Sequence, residues 1–154
     1  MKRNFSVAIL LTAVLTIAGS LQAQDPGMGK WKLNLAKSKY SPGPAPKSMT
    51  RTVEAQGDKV KYTFEGVNAD GSAVSYSFAV AYDGKDYPIN GVAPSGADSI
   101  SFTKPASGPV EAHMKKGSET VLVSRVKVSG DGKTVTIEQT GKGGVKNTVV
   151  YEKL

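Results

Sequence analysis

The side chains best suited to bind an anion are two arginines, Arg51 and Arg125, which stand among many lysines after position 23. A guanidinium group is planar and binds carboxylate or phosphate through two parallel hydrogen bonds. Arg51 alternates in register with Met49 and Val53, so it points inward if they do. It is then a natural anion anchor; the alternative is that it reaches water near a strand end or pairs with a structural acid. Arg125 shares a face with Lys127, which is typical of an outer surface.

Other polar side chains fall on the apolar faces of predicted strands. Asn147 and Tyr151 share the register of Val149, and Gln139 shares that of Ile137. Polar groups on an apolar face must find partners. They either line a wet cavity or satisfy one another, and the sequence leaves both interpretations open.

The sequence favours a protein without catalytic chemistry. His113 is its only histidine and alternates with Ala112 and Met114, which predicts a solvent-facing position, and there is no cysteine. Thiol chemistry is therefore excluded, and an ordinary zinc or haem site is not expected. No nucleophile elbow, phosphate loop or dinucleotide fingerprint occurs, and the Asp-Gly pairs fit hairpin turns better than calcium loops. We assign no catalytic residue, metal ligand or cofactor and do not expect an enzyme.

Residues 1–23 have the pattern of a signal peptide. Lys2 and Arg3 precede an apolar run at residues 5–18, and Ser-Leu-Gln-Ala at 20–23 fits a cleavage site. The apolar run is shorter than the roughly 20 residues that a membrane-spanning helix needs, so a retained anchor is the weaker alternative. We expect export to the periplasm or the medium, one domain at 24–154, and no transmembrane span after cleavage.

The charge of the predicted mature chain is mildly positive. Without Lys2 and Arg3, 18 basic residues face 13 acidic ones, a net charge of +5. The lysines mostly alternate with apolar residues, as on the wet face of a sheet. Nucleic-acid binding needs a concentrated basic stripe with stacking aromatics, and it is not expected here. Weak attraction to an anionic envelope surface is a more natural use of this charge.

Hydrophobic alternation predicts strands along the whole chain after residue 28. Trp31, Leu33 and Leu35 form the apolar side of the first strand. The Ser-Pro-Gly-Pro-Ala-Pro segment at 41–46 can be neither helix nor central strand and is expected to pass over one end of the fold. Turn residues separate the other predicted strands, at 48–55, 59–65, 73–82, 85–89, 99–104, 110–115, 119–128, 134–140 and 145–152. Asn90-Gly91 is predicted to be the turn after the strand at 85–89.

About ten strands with short connections predict an antiparallel meander. A flat meander of this length would expose two long edges, and closure removes them. We therefore predict an all-β, up-and-down barrel of about 8–10 strands, in which the strand of Trp31 lies beside the last strand. A β-sandwich is the alternative.

Two motifs resemble a known group of barrels. Gly29-Lys30-Trp31 resembles the Gly-x-Trp signature of the calycins, which include lipocalins and fatty-acid-binding proteins, and Val150-Tyr151-Glu152-Lys153 is similar to the closing strand of the latter. The segments 29–40 and 82–88 also resemble a group of small secreted bacterial proteins of unassigned function. The calycin resemblance implies a ligand-carrying barrel.

The sequence departs from the fatty-acid-binding proteins in two places. Where they insert two helices after the first strand, this chain has the proline-rich segment 41–46, so a ligand entrance would be built differently. Their last strand carries an Arg-x-Tyr pair for the fatty-acid carboxylate. The matching positions here are Val149 and Tyr151, so the resemblance implies a ligand-facing tyrosine hydroxyl without that arginine.

These observations favour an exported, non-enzymatic barrel that binds a small apolar or amphiphilic, fatty-acid-like ligand. About ten strands leave more interior space than side chains of this size fill. Trp31 is expected to close one end. The predicted ligand contacts are the aromatic residues Tyr62, Phe64, Tyr76 and Phe78 and the polar residues Arg51, Asn147 and Tyr151. The alternative is an envelope structural or protein-interaction module with a filled core.

Overall fold

The computed structural model describes residues 25–154; the predicted signal peptide at 1–23 lies outside the described residues. The described residues form eleven antiparallel strands in a single sheet. The strands are β1 (Gly29–Leu33), β2 (Ser48–Gln56), β3 (Lys59–Val67), β4 (Ala73–Val80), β5 (Tyr87–Pro88), β6 (Asn90–Gly91), β7 (Ser99–Thr103), β8 (Val110–Lys116), β9 (Glu119–Val128), β10 (Thr134–Gly141) and β11 (Val145–Lys153).

The strand order shows a nearly closed up-and-down barrel. It runs β5-β7-β8-β9-β10-β11-β1-β2-β3-β4-β6, so consecutive strands are neighbours almost throughout. The first and last strands also pair, with Trp31 opposite Lys153 and Leu33 opposite Tyr151. The predicted barrel, and the predicted place of the Trp31 strand beside the final one, are confirmed.

The barrel closes between β4 and β7 through two very short strands, which we call the seam. On one side Gly91 of β6 pairs with Tyr76 of β4, and on the other Tyr87 of β5 pairs with Ile100 of β7. Asn90-Gly91 was expected to be a turn, and that prediction is wrong. Gly91 has φ +93°, and a Cβ there would collide with the carbonyl oxygen of Ser75. Only glycine allows this close approach of two backbones.

The first strand is shorter than the sequence predicts. Leu35 was expected on its apolar side, but it lies in a 3-10 turn at Leu35–Lys37 and is 43% exposed. The Oδ1 of Asn34 accepts a hydrogen bond from the Lys37 amide at 3.0 Å. An asparagine side chain that bonds its own backbone in this way favours a turn over a continued strand.

Short 3-10 turns are the helical elements of the part of the chain that the structure describes. Besides the turn after β1, they comprise Pro94–Gly96 before β7 and Lys142–Gly144 before β11. Among residues 25–154, none of the helices has the length and apolar character to cross a membrane.

Stacked aromatic side chains occupy one wall of the interior. Tyr62 lies opposite Phe78 and Phe64 opposite Tyr76 across β3 and β4, with ring centres 5.2 and 4.8 Å apart. The ring of Phe102 from β7 adds to the stack, 5.2 Å from Tyr62. Each such pair contributes about 0.5–1.5 kcal/mol beyond its burial. We call these five side chains the aromatic wall.

Candidate ligand-binding cavity

The barrel encloses a cavity of about 560 Å³, which lies within the range of small-molecule sites. Inward-facing residues of the long strands form its sides. Its mouth is bordered by residues 41–46, which we call the strap, by the β3–β4 turn at 68–70, and by Pro94 and Ser95. The strap therefore passes over one end of the barrel, as predicted. A cavity of this size also disagrees with the alternative prediction of a barrel with a filled core.

Arg51 lies on the cavity side of β2 and is only 4% exposed. Its Nε and Nη1 atoms are buried without a hydrogen-bond partner. None of the ion pairs formed within residues 25–154 involves this arginine. Its guanidinium carbon lies 5.2 Å from the centre of the Tyr62 ring, and burial lowers the pKa of Arg51. An enclosed cation without an acid is costly, because burial removes its hydration.

Three buried tyrosines line the same cavity as this cation. Tyr62, Tyr76 and Tyr151 are buried and line the cavity. Burial raises the pKa of each hydroxyl, and the nearby charge of Arg51 opposes that rise. The hydroxyls of Tyr62 and Tyr82 lie 2.7 Å apart and share a hydrogen bond. Since these groups stay protonated at neutral pH, they can donate hydrogen bonds but cannot neutralise the arginine.

A second polar feature crosses three neighbouring strands on another side of the cavity. Gln139 Nε2 donates to Ser124 Oγ at 3.4 Å, and Asn147 Nδ2 donates to Gln139 Oε1 at 3.2 Å. The backbone N–H of Ser41, the first strap residue, donates to Asn147 Oδ1 at 3.1 Å. We call Ser124, Gln139 and Asn147 the polar strip. The sequence left open whether the inward polar side chains line a cavity or bond one another. In the polar strip they do both.

The structure brings seven of the eight predicted ligand contacts to the cavity. They are Arg51, Tyr62, Phe64, Tyr76, Phe78, Asn147 and Tyr151. Trp31 is fully buried but is not among the residues that line the cavity. Its Nε1 donates to the Gly27 carbonyl at 3.2 Å, and Lys153 Nζ lies 5.1 Å from the centre of its ring. The binding roles of all eight residues remain predictions.

Sequence reasoning missed several residues of the cavity lining. Ile100 and Phe102 lie in the strand predicted at 99–104 and line the cavity, but they were not assigned to the site. Ser124 lies between Leu122 and Val126 in the inward register of β9. The signal for all of them was the same two-residue alternation that placed Arg51.

The outer face of the barrel carries a small charged cluster. Glu111 Oε1 lies 2.7 Å from His113 Nε2, and Glu111 Oε2 lies 3.4 Å from Arg125 Nε. The hydrogen bond with His113 lowers the pKa of Glu111. The outward positions predicted for His113 and Arg125 are confirmed. In the described part of the chain, no three His, Cys, Asp or Glu side chains are grouped so that they could hold a metal ion.

Comparisons with known proteins define the fold. No protein-family model and no curated protein matches the sequence. Among solved structures, the REP1-NXSQ fatty acid transporter is similar over 82% of this chain and 95% of its own, with 12% identity and a TM-score of 0.54. Zebrafish ileal bile acid-binding protein, complexed with cholic acid, is similar over 84% of this chain and 100% of its own, with 15% identity and a TM-score of 0.53. The chain therefore has a calycin-like β-barrel fold, which agrees with the resemblance of its Gly-x-Trp motif to the calycin signature.

Proposed function

We propose that this protein is a non-enzymatic carrier that binds one small anionic amphiphile, such as a fatty acid, inside its barrel. The observation that carries the proposal is Arg51, a buried cation with no acidic partner in the described chain, on the wall of a cavity of about 560 Å³. The anion of the ligand provides the missing counter-ion.

The energetic argument concerns what a buried arginine normally requires. Desolvation of a charged side chain costs several kcal/mol even after relaxation, and proteins offset it with an ion pair and hydrogen bonds. The Tyr62 ring offsets only part of this cost, since a desolvated cation–π contact contributes about 2 kcal/mol. A carboxylate or phosphate at Arg51 would offset the rest with charge-assisted hydrogen bonds. The neutral hydroxyls of Tyr76 and Tyr151 can donate to the same anion.

The rest of the cavity suits an apolar body. The aromatic wall and inward aliphatic side chains such as Leu122, Ile137 and Val149 provide a dry surface. Among the described residues that line the cavity, Asp70 is the one acidic side chain, and it belongs to an exposed turn at the mouth. This lining supports binding without catalysis, because no acid–base pair adjoins Arg51.

The proposed place of action follows from the sequence. The predicted signal peptide at 1–23 supports a carrier that works in the periplasm or outside the cell. The lysines on the outer face support weak contact with anionic envelope surfaces. Fractionation of cells that produce the tagged full-length chain tests this part, and recovery in the cytoplasm without cleavage would overturn it.

Titration of the purified protein with a fluorescent fatty acid at low salt tests the binding proposal. We expect saturable binding of one ligand per chain. Arg51→Met should weaken it by roughly 10- to 100-fold, the range for loss of hydrogen bonds to a charged group. The matched control is Arg125→Met, which removes the outer-face arginine and should leave affinity unchanged. No saturable binding, or equal binding by the Arg51→Met variant, would overturn the proposal.

A further inference from the structure

The polar strip and the aromatic wall face each other across the cavity. In the strand order, β10 lies five intervals from β4 in one direction. In the other direction β9, β8, β7 and the two short strands of the seam lie between them. In a closed barrel this places Gln139 nearly opposite Phe78 and Tyr76. A bound molecule therefore meets aromatic rings on one side and amide and hydroxyl groups on the other.

The backbone fixes the direction of every hydrogen bond in the polar strip. The Ser41 N–H can only donate, so the atom of Asn147 that it meets at 3.1 Å is the acceptor Oδ1. Asn147 must then present Nδ2 to Gln139, whose Oε1 accepts. Gln139 consequently presents its own Nε2 to Ser124. The strap thus orients both amides.

This orientation leaves donors unused. Each amide nitrogen has two N–H groups, and the bonds described above use one on Gln139 and one on Asn147. The Ser124 hydroxyl accepts from Gln139 and still has its own proton to donate. Three donors beside the cavity therefore have no acceptor among the described residues. Ser124 is buried, and Gln139 and Asn147 are half-buried beside the cavity. A donor that loses its hydration when a ligand binds needs an acceptor, and an oxygen of the ligand can provide one.

We propose that the polar strip is a second ligand subsite, which binds a neutral oxygen, a hydroxyl or carbonyl, on the apolar body of the ligand. This inference rests on the proposed function and narrows it, because the preferred ligand is then an oxygenated anionic amphiphile rather than a plain fatty acid. Arg51 holds the charged end, the aromatic wall covers the apolar side, and the three unused donors of the polar strip bind the second oxygen.

The separation of the two subsites indicates where that oxygen lies. Three strand intervals separate β2, which carries Arg51, from β10, which carries Gln139. At about 4.8 Å per interval, the two backbones are roughly 14 Å apart along the wall. A hydroxyl next to the carboxylate would remain beside Arg51. A hydroxyl near the middle of a long acyl chain can reach the polar strip.

Displacement of a fluorescent fatty acid by matched acids tests the second subsite. The competitors are hexadecanoic acid and its derivatives with one hydroxyl on the third carbon, at mid-chain or on the last carbon. We expect the mid-chain hydroxy acid to bind about 5- to 10-fold more tightly than hexadecanoic acid, the gain for one or two new hydrogen bonds. Gln139→Leu should bring this ratio close to one without weakening hexadecanoic acid.

Two further variants separate a subsite from a merely structural role. Thr140→Val changes the exposed neighbour of Gln139 on β10 and should preserve the preference. Ser124→Ala removes a single hydroxyl and should reduce the preference even if Gln139→Leu fails to fold. Equal binding of all the acids by the unchanged protein, or a preference that survives both Gln139→Leu and Ser124→Ala, would overturn this inference alone. If neither hexadecanoic acid nor its derivatives bind, the proposed function fails with it.

Discussion

Arg51 lies with its guanidinium carbon 5.2 Å from the centre of the Tyr62 ring, on the neighbouring strand. Arg51 is buried and forms no ion pair within residues 25–154, so this contact compensates only partly for the loss of its hydration. This charge therefore lowers the stability of the barrel, and in the proposed function the same charge attracts the anionic ligand.

The first prediction is that Arg51→Met stabilises the protein when no ligand is present. Replacement of a buried charged group by a packed apolar side chain of similar length should raise the free energy of unfolding by about 1–3 kcal/mol. Urea unfolding measures this change. Arg125→Met, on the exposed outer face, should stay within about 0.5 kcal/mol of the unchanged protein. A loss of stability in the Arg51→Met variant would show that the arginine has a structural partner.

The second prediction concerns the charge of the ligand. The methyl ester of a fatty acid keeps the apolar body but loses the anion, so it should bind the unchanged protein about tenfold or more weakly than the acid. In Arg51→Met the acid and the ester should bind almost equally, because the group that distinguishes them is gone. Calorimetric titration of both ligands provides the four affinities, and a difference that persists in the variant would place the anion elsewhere.

Placement of Arg51 shows how far the sequence could predict the site. The alternation of Met49, Arg51 and Val53 fixed its inward direction, because a strand allows only two faces. The sequence could not predict that no acid in the described part of the chain pairs with it, since ion pairs form between residues distant in the chain. Ser124 was likewise overlooked, because a serine between apolar neighbours is common on any half-buried strand.

The sequence predicted the barrel but misplaced two local features, because the same short sequence pattern can occur in two different structures. The strand bounds from β7 to β11 follow the hydrophobic alternation to within about two residues. Asn90-Gly91 has the sequence of a hairpin turn, but here the glycine is required for contact between backbones at the seam. Leu35 continued the alternation, yet the side chain of Asn34 ended the strand. In both cases the local structure depends on a contact that hydrophobic alternation does not predict: a close approach of backbones at Gly91 and a side-chain hydrogen bond at Asn34.

The third prediction is a loss of stability at alkaline pH. Burial raises the pKa of Tyr40 to about 12 and raises the pKa values of Tyr76 and Tyr151 as well. In the unfolded chain these hydroxyls ionise near pH 10. Above this pH the unfolded state binds fewer protons than the folded state, so the free energy of unfolding falls as pH rises. The stabilisation is fully present below about pH 10 and is lost as pH rises through 12.

Parallel alkaline titrations check this expectation. Phenolate absorbance reports ionisation, and far-ultraviolet circular dichroism reports the strands. Ionisation of the buried tyrosines should coincide with loss of the strands. If all six tyrosines ionise near pH 10 while the barrel stays folded, the prediction is wrong.

The fourth prediction tests the seam. Gly91→Ala would introduce a Cβ against the Ser75 carbonyl and would force a side chain into φ +93°. We expect a loss of about 2 kcal/mol or more in the free energy of unfolding. Gly130→Ala is the matched control, because a Cβ at that turn meets no atom within 4 Å. Equal stability of the two variants in urea would show that the seam does not depend on this close approach.

Pairing of β1 with β11 has a consequence for biosynthesis. Trp31 is synthesised well before Lys153, its partner across the ladder. The nascent polypeptide can form its successive hairpins one by one, but it cannot enclose an interior until the final strand arrives. The interior is therefore complete only after translation has passed residue 153.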